Sequence, residues 1–185
     1  TRTDRHQSPE EAFAVARSTA LWLVLILGVL LVGAVLAARP LALLIAPGFA
    51  ETPQVLEHTV LLVRICFPYI LFISGVALCM GILNARDHFL APALAPCVLN
   101  LVLISAALLA VWLGWPVPLV LAWAVLVAGL GQWLLQQPFL RRQGFRWRGN
   151  ASLRHPGVLR IGRLMGPTIL GAAVYQLNIV LGTVL

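Results

Sequence analysis

Arg64 and Pro68 stand four residues apart in the run Arg64-Ile65-Cys66-Phe67-Pro68, and Arg163 and Pro167 repeat that relation further along. A proline has no N–H to give the carbonyl four residues before it. Each pair therefore sets a permanent positive charge beside a freed backbone acceptor on one helix. A guanidinium in such a place can hold a phosphate or carboxylate through paired N–H donors. Two readings of Arg64 stand at this point: an anion contact beside a hinge, or a side chain that snorkels to nearby lipid headgroups. Pro167, Gly171, Tyr175, Asn178 and Gly182 recur at three- and four-residue steps and so share one helix face. That face is suited either to close helix packing through small residues or to a substrate surface that uses Tyr175 and Asn178.

Other chemistry is excluded by residue type and spacing. Asp87 is the only acid after Glu57, and no serine, histidine and carboxylate set is present, so positioned acid–base groups are lacking and the chain does not read as an enzyme. Cys66, Cys79 and Cys97 lie within apolar runs without a CxxC spacing or a histidine pair, which argues against a metal and for small buried hydrophobes. His6, His58, His88 and His155 are scattered. No cofactor is implied. Asn150-Ala151-Ser152 matches a glycosylation sequon but is short enough to arise by chance.

The elements that position these residues are apolar. The 185 residues are 61% hydrophobic and 10% charged, with a mean hydropathy of +0.94. A soluble domain carries about 25% charged residues, so the expected class is an all-α polytopic membrane protein. There is no lysine, and thirteen arginines carry the positive charge. Seven of these lie between Arg141 and Arg163, a window without an acid between two apolar segments. The formal charge of +7 thus reflects basic loops held on the cytoplasmic side rather than a nucleic-acid surface.

Four spans are expected, at about residues 18–45, 53–83, 89–113 and 117–138, followed by the start of a fifth helix at 156–185. Ser8-Pro9-Glu10-Glu11 reads as a helix start. Ser18 to Ala38 holds 21 uncharged residues, about 31 Å of helix, which matches a bilayer core. Arg39-Pro40 ends or kinks that span, and Ala46-Pro47-Gly48-Phe49 is a turn. Pro68 interrupts the second span, while Pro92 and Pro96 interrupt the third. All three, with Pro167, are expected helix bends, tolerated where neighbouring helices satisfy the freed carbonyls. Trp115-Pro116 marks an outer turn. Residues 139–155 form an arginine-rich linker, its Phe145 and Trp147 expected at headgroup depth on an anionic leaflet. Arginines cluster at the start, at Arg86 and in the linker, so residues 1–17, 84–88 and 139–155 are expected inside; Arg39 is the one dissenter. The chain begins without Met and ends within an apolar run, as expected of a piece of a longer protein.

Several short motifs in order carry a family resemblance. They are Ala46-Pro47-Gly48-Phe49, Phe67-Pro68-Tyr69-Ile70, Gly81-Ile82-Leu83-Asn84-Ala85, Pro92-Ala93-Leu94-Ala95-Pro96 and Leu99-Asn100. Leu121-Ala122-Trp123-Ala124-Val125 follows, then Met165-Gly166-Pro167-Thr168-Ile169-Leu170-Gly171 and Gln176. Together they resemble the MurJ (MviN) family, bacterial lipid II flippases of the multidrug/oligosaccharidyl-lipid/polysaccharide exporter superfamily. The resemblance implies a two-lobed 14-helix exporter working by alternating access in the cytoplasmic (inner) membrane. This chain would supply helices three to six of the N-terminal lobe, the inter-lobe linker, and the start of the first C-terminal-lobe helix. The implied partners are lipid II, membrane lipids and cell-wall synthesis or division proteins. The charged cavity residues of the family belong largely to helices outside this stretch, so the resemblance assigns Arg64 no role. The alternatives are another lipid-linked polysaccharide flippase, a drug antiporter, or a membrane scaffold that transports nothing.

Overall fold

A computed structural model describes residues 9–154 and 156–184. It is helical throughout, in the order α1 (Pro9–Leu36), α2 (Ala38–Ile45), α3 (Pro53–Cys66), α4 (Tyr69–Asn84), α5 (Leu90–Leu113), α6 (Val117–Arg142) and α7 (Pro156–Val184), with a short 3-10 turn at Pro47–Glu51 between α2 and α3. Four stretches are long and apolar enough to cross a membrane: Glu10–Leu36, Pro53–Asn84, Leu90–Leu113 and Val117–Arg142. The second combines α3 and α4. The chain is thus an all-α, multi-pass membrane segment.

Prolines set the breaks. Pro40 leaves the Leu36 carbonyl without its helical donor, and α1 ends at Leu36. Pro68 does the same to the Arg64 carbonyl; α3 ends at Cys66, and the chain re-enters a helix at Tyr69 through Ile70 N–H to Phe67 O (3.1 Å) and Leu71 N–H to Pro68 O (3.1 Å). Pro96 lies inside α5, which stays helical around it. Pro92 falls in the first turn of α5, where no N–H is required of it.

Three helix ends share one device. His88 N–H reaches Leu83 O (3.0 Å), Trp115 N–H reaches Ala110 O (2.8 Å) and Phe145 N–H reaches Leu140 O (3.0 Å), each a bond to the fifth residue back. In each case the preceding residue is left-handed: Asp87 (φ 56°), Gly114 (φ 67°) and Gly144 (φ 83°). The last of these carries α6 to Arg142, so Phe139 to Arg142, expected in the linker, are helical. It also turns Phe145 inward, where it is fully buried like Leu140. The Phe145 ring meets Trp147 edge-on with centroids 5.0 Å apart, and a buried apolar residue at this position commonly seals such a helix end.

The described residues fall into two compact units, one within Thr1–Leu21 and Arg148–Leu185, the other Trp22–Trp147. In the first, Arg17 is 6% exposed and its Nε donates to Asn150 O (3.1 Å), while Ser18 Oγ accepts from Ser152 N–H (3.0 Å). In the second, α6 packs on α5, α4 and α3, and α2 packs on α3. Small residues let these helices approach. A methyl group on Gly129 would lie 2.8 Å from Phe72 Cβ and 2.9 Å from Tyr69 Cδ2, and one on Gly75 would lie 3.3 Å from Trp133 Cδ1.

Candidate functional site

At one end of the second unit, α2 and α3 enclose a small apolar core of Ala38, Ala42, Leu56 and Val60, flanked by Leu43, Phe49 and Val63. The two alanines permit the short α2 to lie close to α3. Above this core is a cleft of about 260 Å³ lined by Arg39, Leu56, Glu57, Val60, Leu61 and Arg64. Leu56 and Val60 give it a rigid apolar floor, and the two arginines with Glu57 supply its charge. Arg64 is exposed, and its Nε donates to Val35 O near the end of α1 (3.3 Å), a bond that does not use its terminal nitrogens. Among the described residues neither Arg39 nor Arg64 is ion-paired, whereas Arg17 lies 3.9 Å from Glu10. Arg39, the outlier in the charge pattern of the sequence, is therefore the neighbour of Arg64.

The other singled-out residues do not join this cleft. Tyr175 lies on α7, in the other unit, and is 67% exposed. Asn178 is within α7, but its side chain lies outside the described residues. Methyl groups at Gly162, Gly166 or Gly171 would meet nothing within 4 Å. Pro167 lies inside α7 and is exposed. Pro68 stands at the α3–α4 junction, the break nearest to Arg64. No group of three or more potential metal ligands occurs among the described residues.

A polar stripe on α6 is a feature that the sequence displays only as scattered glutamines. Gln132, 3% exposed, donates from Nε2 to Ala95 O of α5 (2.9 Å). Gln137 Oε1 accepts from Trp147 Nε1 (2.6 Å), and its Nε2 donates to Trp133 O (3.0 Å). Gln136 is fully buried, yet neither of its amide atoms has a hydrogen-bond partner, and His88 Nε2 shares that condition. The His88 ring packs on Phe139 with centroids 5.0 Å apart. The Gln132–Ala95 and Phe139–His88 contacts follow one antiparallel register, which puts Gln136 level with the equally buried Ala91. Buried amides without partners are uncommon and costly. A helix-face plot with the i, i+4 positions 128, 132, 136 and 140 marked could have found this stripe.

Comparison with known proteins gives these features a family setting. The family described as "Lipid II flippase MurJ" matches residues 1–185. The chain is 39% identical over 147 residues to the "Probable lipid II flippase MurJ" of Buchnera aphidicola subsp. Acyrthosiphon pisum, covering 80% of this chain and 29% of that protein. It is 38% identical over 162 residues to the "Lipid II flippase MurJ" of Burkholderia cenocepacia, covering 85% of this chain and 31% of that one. With the "Probable lipid II flippase MurJ" of Rhizobium tropici it shares 35% identity over 179 residues, 94% of this chain and 32% of the relative. The chain thus spans about a third of the length of the curated relatives it matches. These relatives are named as transporters rather than enzymes, and all three are bacterial. Four apolar spans, the second of them broken at Pro68, and a family match through to α7 have one consistent source: the chain belongs to the MurJ lipid II flippase family.

Proposed function

We propose that the full-length protein moves lipid II, the lipid-linked peptidoglycan precursor, from the inner to the outer leaflet of the bacterial cytoplasmic membrane by alternating access. The observation that carries this reading is the family match across the whole chain, together with the names of its relatives. In this proposal residues 1–138 belong to the first lobe of a 14-helix exporter, 139–155 to the cytoplasmic link between lobes, and 156–185 to the first helix of the second lobe. Residues 1–17 and 84–88 lie on the same cytoplasmic side as the link. Two local pairings support that arrangement: Arg17 with Asn150 in one unit, and His88 with Phe139 in the other. Pro68, Pro96 and Pro167, with Pro92 opening α5, act as compliant points when the lobes rock. Arg64 contacts substrate phosphate, and Tyr175 and Asn178 of α7 contact the substrate as well. Cell-wall synthesis or division proteins are its partners in the membrane.

The full-length protein in proteoliposomes loaded with lipid II on one leaflet tests this directly. Lipid II should reach the opposite leaflet at least several times faster than in protein-free vesicles, while phosphatidylglycerol should not. Equal rates with and without protein would refute the proposal.

A further inference from the structure

The α2–α3 cleft stands at a particular depth. The uncharged run Ile65–Ala85 holds 21 residues, about 31 Å of helix and one hydrocarbon thickness. Arg64 is the first residue beyond it, and Pro53 to Val63 continue α3 on its N-terminal side. The uncharged run Ser18–Ala38 has the same length, and Arg39 is the first residue beyond that one. The Arg64 Nε bond to Val35 O ties the two boundaries to a single level. Two arginines without ion-pair partners among the described residues therefore line one cleft, each the first residue beyond an uncharged run of about one hydrocarbon thickness, with Leu56 and Val60 beside them.

We infer that this cleft is a phosphate-binding site for a membrane lipid, with Arg39 and Arg64 clamping the phosphate and Leu56, Val60 and Leu61 carrying the adjoining glycerol or prenyl carbons. Guanidinium pairs suit phosphate because planar N–H donors match its oxygens. Bridging both arginines, the phosphate ties α2 to α3 directly above the Pro68 break. Glu57 gives the cleft one negative charge, which repels the lipid phosphate and sets how tightly it is held. A phospholipid phosphodiester and the pyrophosphate of a prenyl-linked precursor share this chemistry. The site stands whether or not the protein transports anything, so a failure of the transport reading leaves it untouched.

Native mass spectrometry of the purified full-length protein tests it with three probes: phosphatidylglycerol, undecaprenyl pyrophosphate, and phosphate-free diacylglycerol. The Arg39→Gln/Arg64→Gln variant should retain the phosphate-bearing probes at least tenfold less than the parent, with diacylglycerol unchanged. Glu57→Gln should raise retention of both, an effect that a general loss of structure would not give. Loss confined to undecaprenyl pyrophosphate assigns the cleft to the precursor, and loss confined to phosphatidylglycerol assigns it to bulk lipid. Equal retention by parent and double variant, or weaker retention in Glu57→Gln, overturns the inference. If the double variant does not fold, Arg39→Gln alone with Glu57→Gln gives the same opposed pair of shifts.

Discussion

Gly129 and Gly81 are both helical glycines in membrane spans, and their surroundings give them opposite expected behaviour. Gly129 is buried, with Phe72 and Tyr69 where its side chain would be, whereas a methyl group on Gly81 would meet nothing within 4 Å. Gly129→Ala should lower stability by about 1–3 kcal/mol, because packed helices must part or side chains must leave their rotamers. Gly81→Ala should leave it unchanged or raise it by about 0.5–1 kcal/mol by restricting the unfolded chain. Thermal unfolding midpoints of the two purified variants check both signs. The sequence shows two glycines and no hint of which is which, since the difference lies in a neighbour some sixty residues away. Arg64 was legible because a charge inside an apolar run stands out by itself. Its relation to Arg39 was not, because it depends on α2 folding back beside α3. Gln136 was equally opaque: only the α5–α6 register shows that it is fully buried without a partner.

At the scale of elements, the breaks were the most legible feature. Pro40 and Pro68 remove donors from identifiable carbonyls, and both helices end within two residues of the carbonyl affected. The end of α6 was less so, because Pro138 invites a stop there. The helix nevertheless continues to Arg142, where Gly144 supplies the left-handed turn. The stretch after it shows a second limit of composition. Arginines and aromatics suggest a chain lying on headgroups, and they give no sign that Asn150 and Ser152 are bonded to α1. Arg17 bonds Asn150 O, Ser18 holds Ser152 N–H, and Gly149, at φ 149°, passes so close that a methyl group there would lie 2.7 Å from the Arg17 guanidinium carbon. A buried hydrogen bond from a charged group contributes about 1.5–3 kcal/mol. Arg17→Ala should therefore speed amide exchange across residues 148–154 by about tenfold or more while the centre of α5 exchanges at its parental rate. Hydrogen-exchange mass spectrometry of the full-length protein reads this, and an unchanged segment would show that the arginine holds nothing in place.

For the whole molecule, class and family follow from different properties of the chain. Membrane class follows from charge content and run length, which are one-dimensional and therefore readable without coordinates. Family follows from many short motifs in a fixed order, matched from the first residue to the last. Where phosphate groups would meet the protein depends on helices brought together in space, and the α2–α3 cleft emerged only from that packing. The chain covers about a third of its relatives' length, so transport is a property to be tested on the complete protein in its own membrane. Depletion of the full-length protein in a growing host, with lipid II quantified on each face of the cytoplasmic membrane, is the most direct measurement. The outward-exposed pool should fall severalfold while the inner pool rises, and an outward pool that holds steady as the protein disappears would contradict the account.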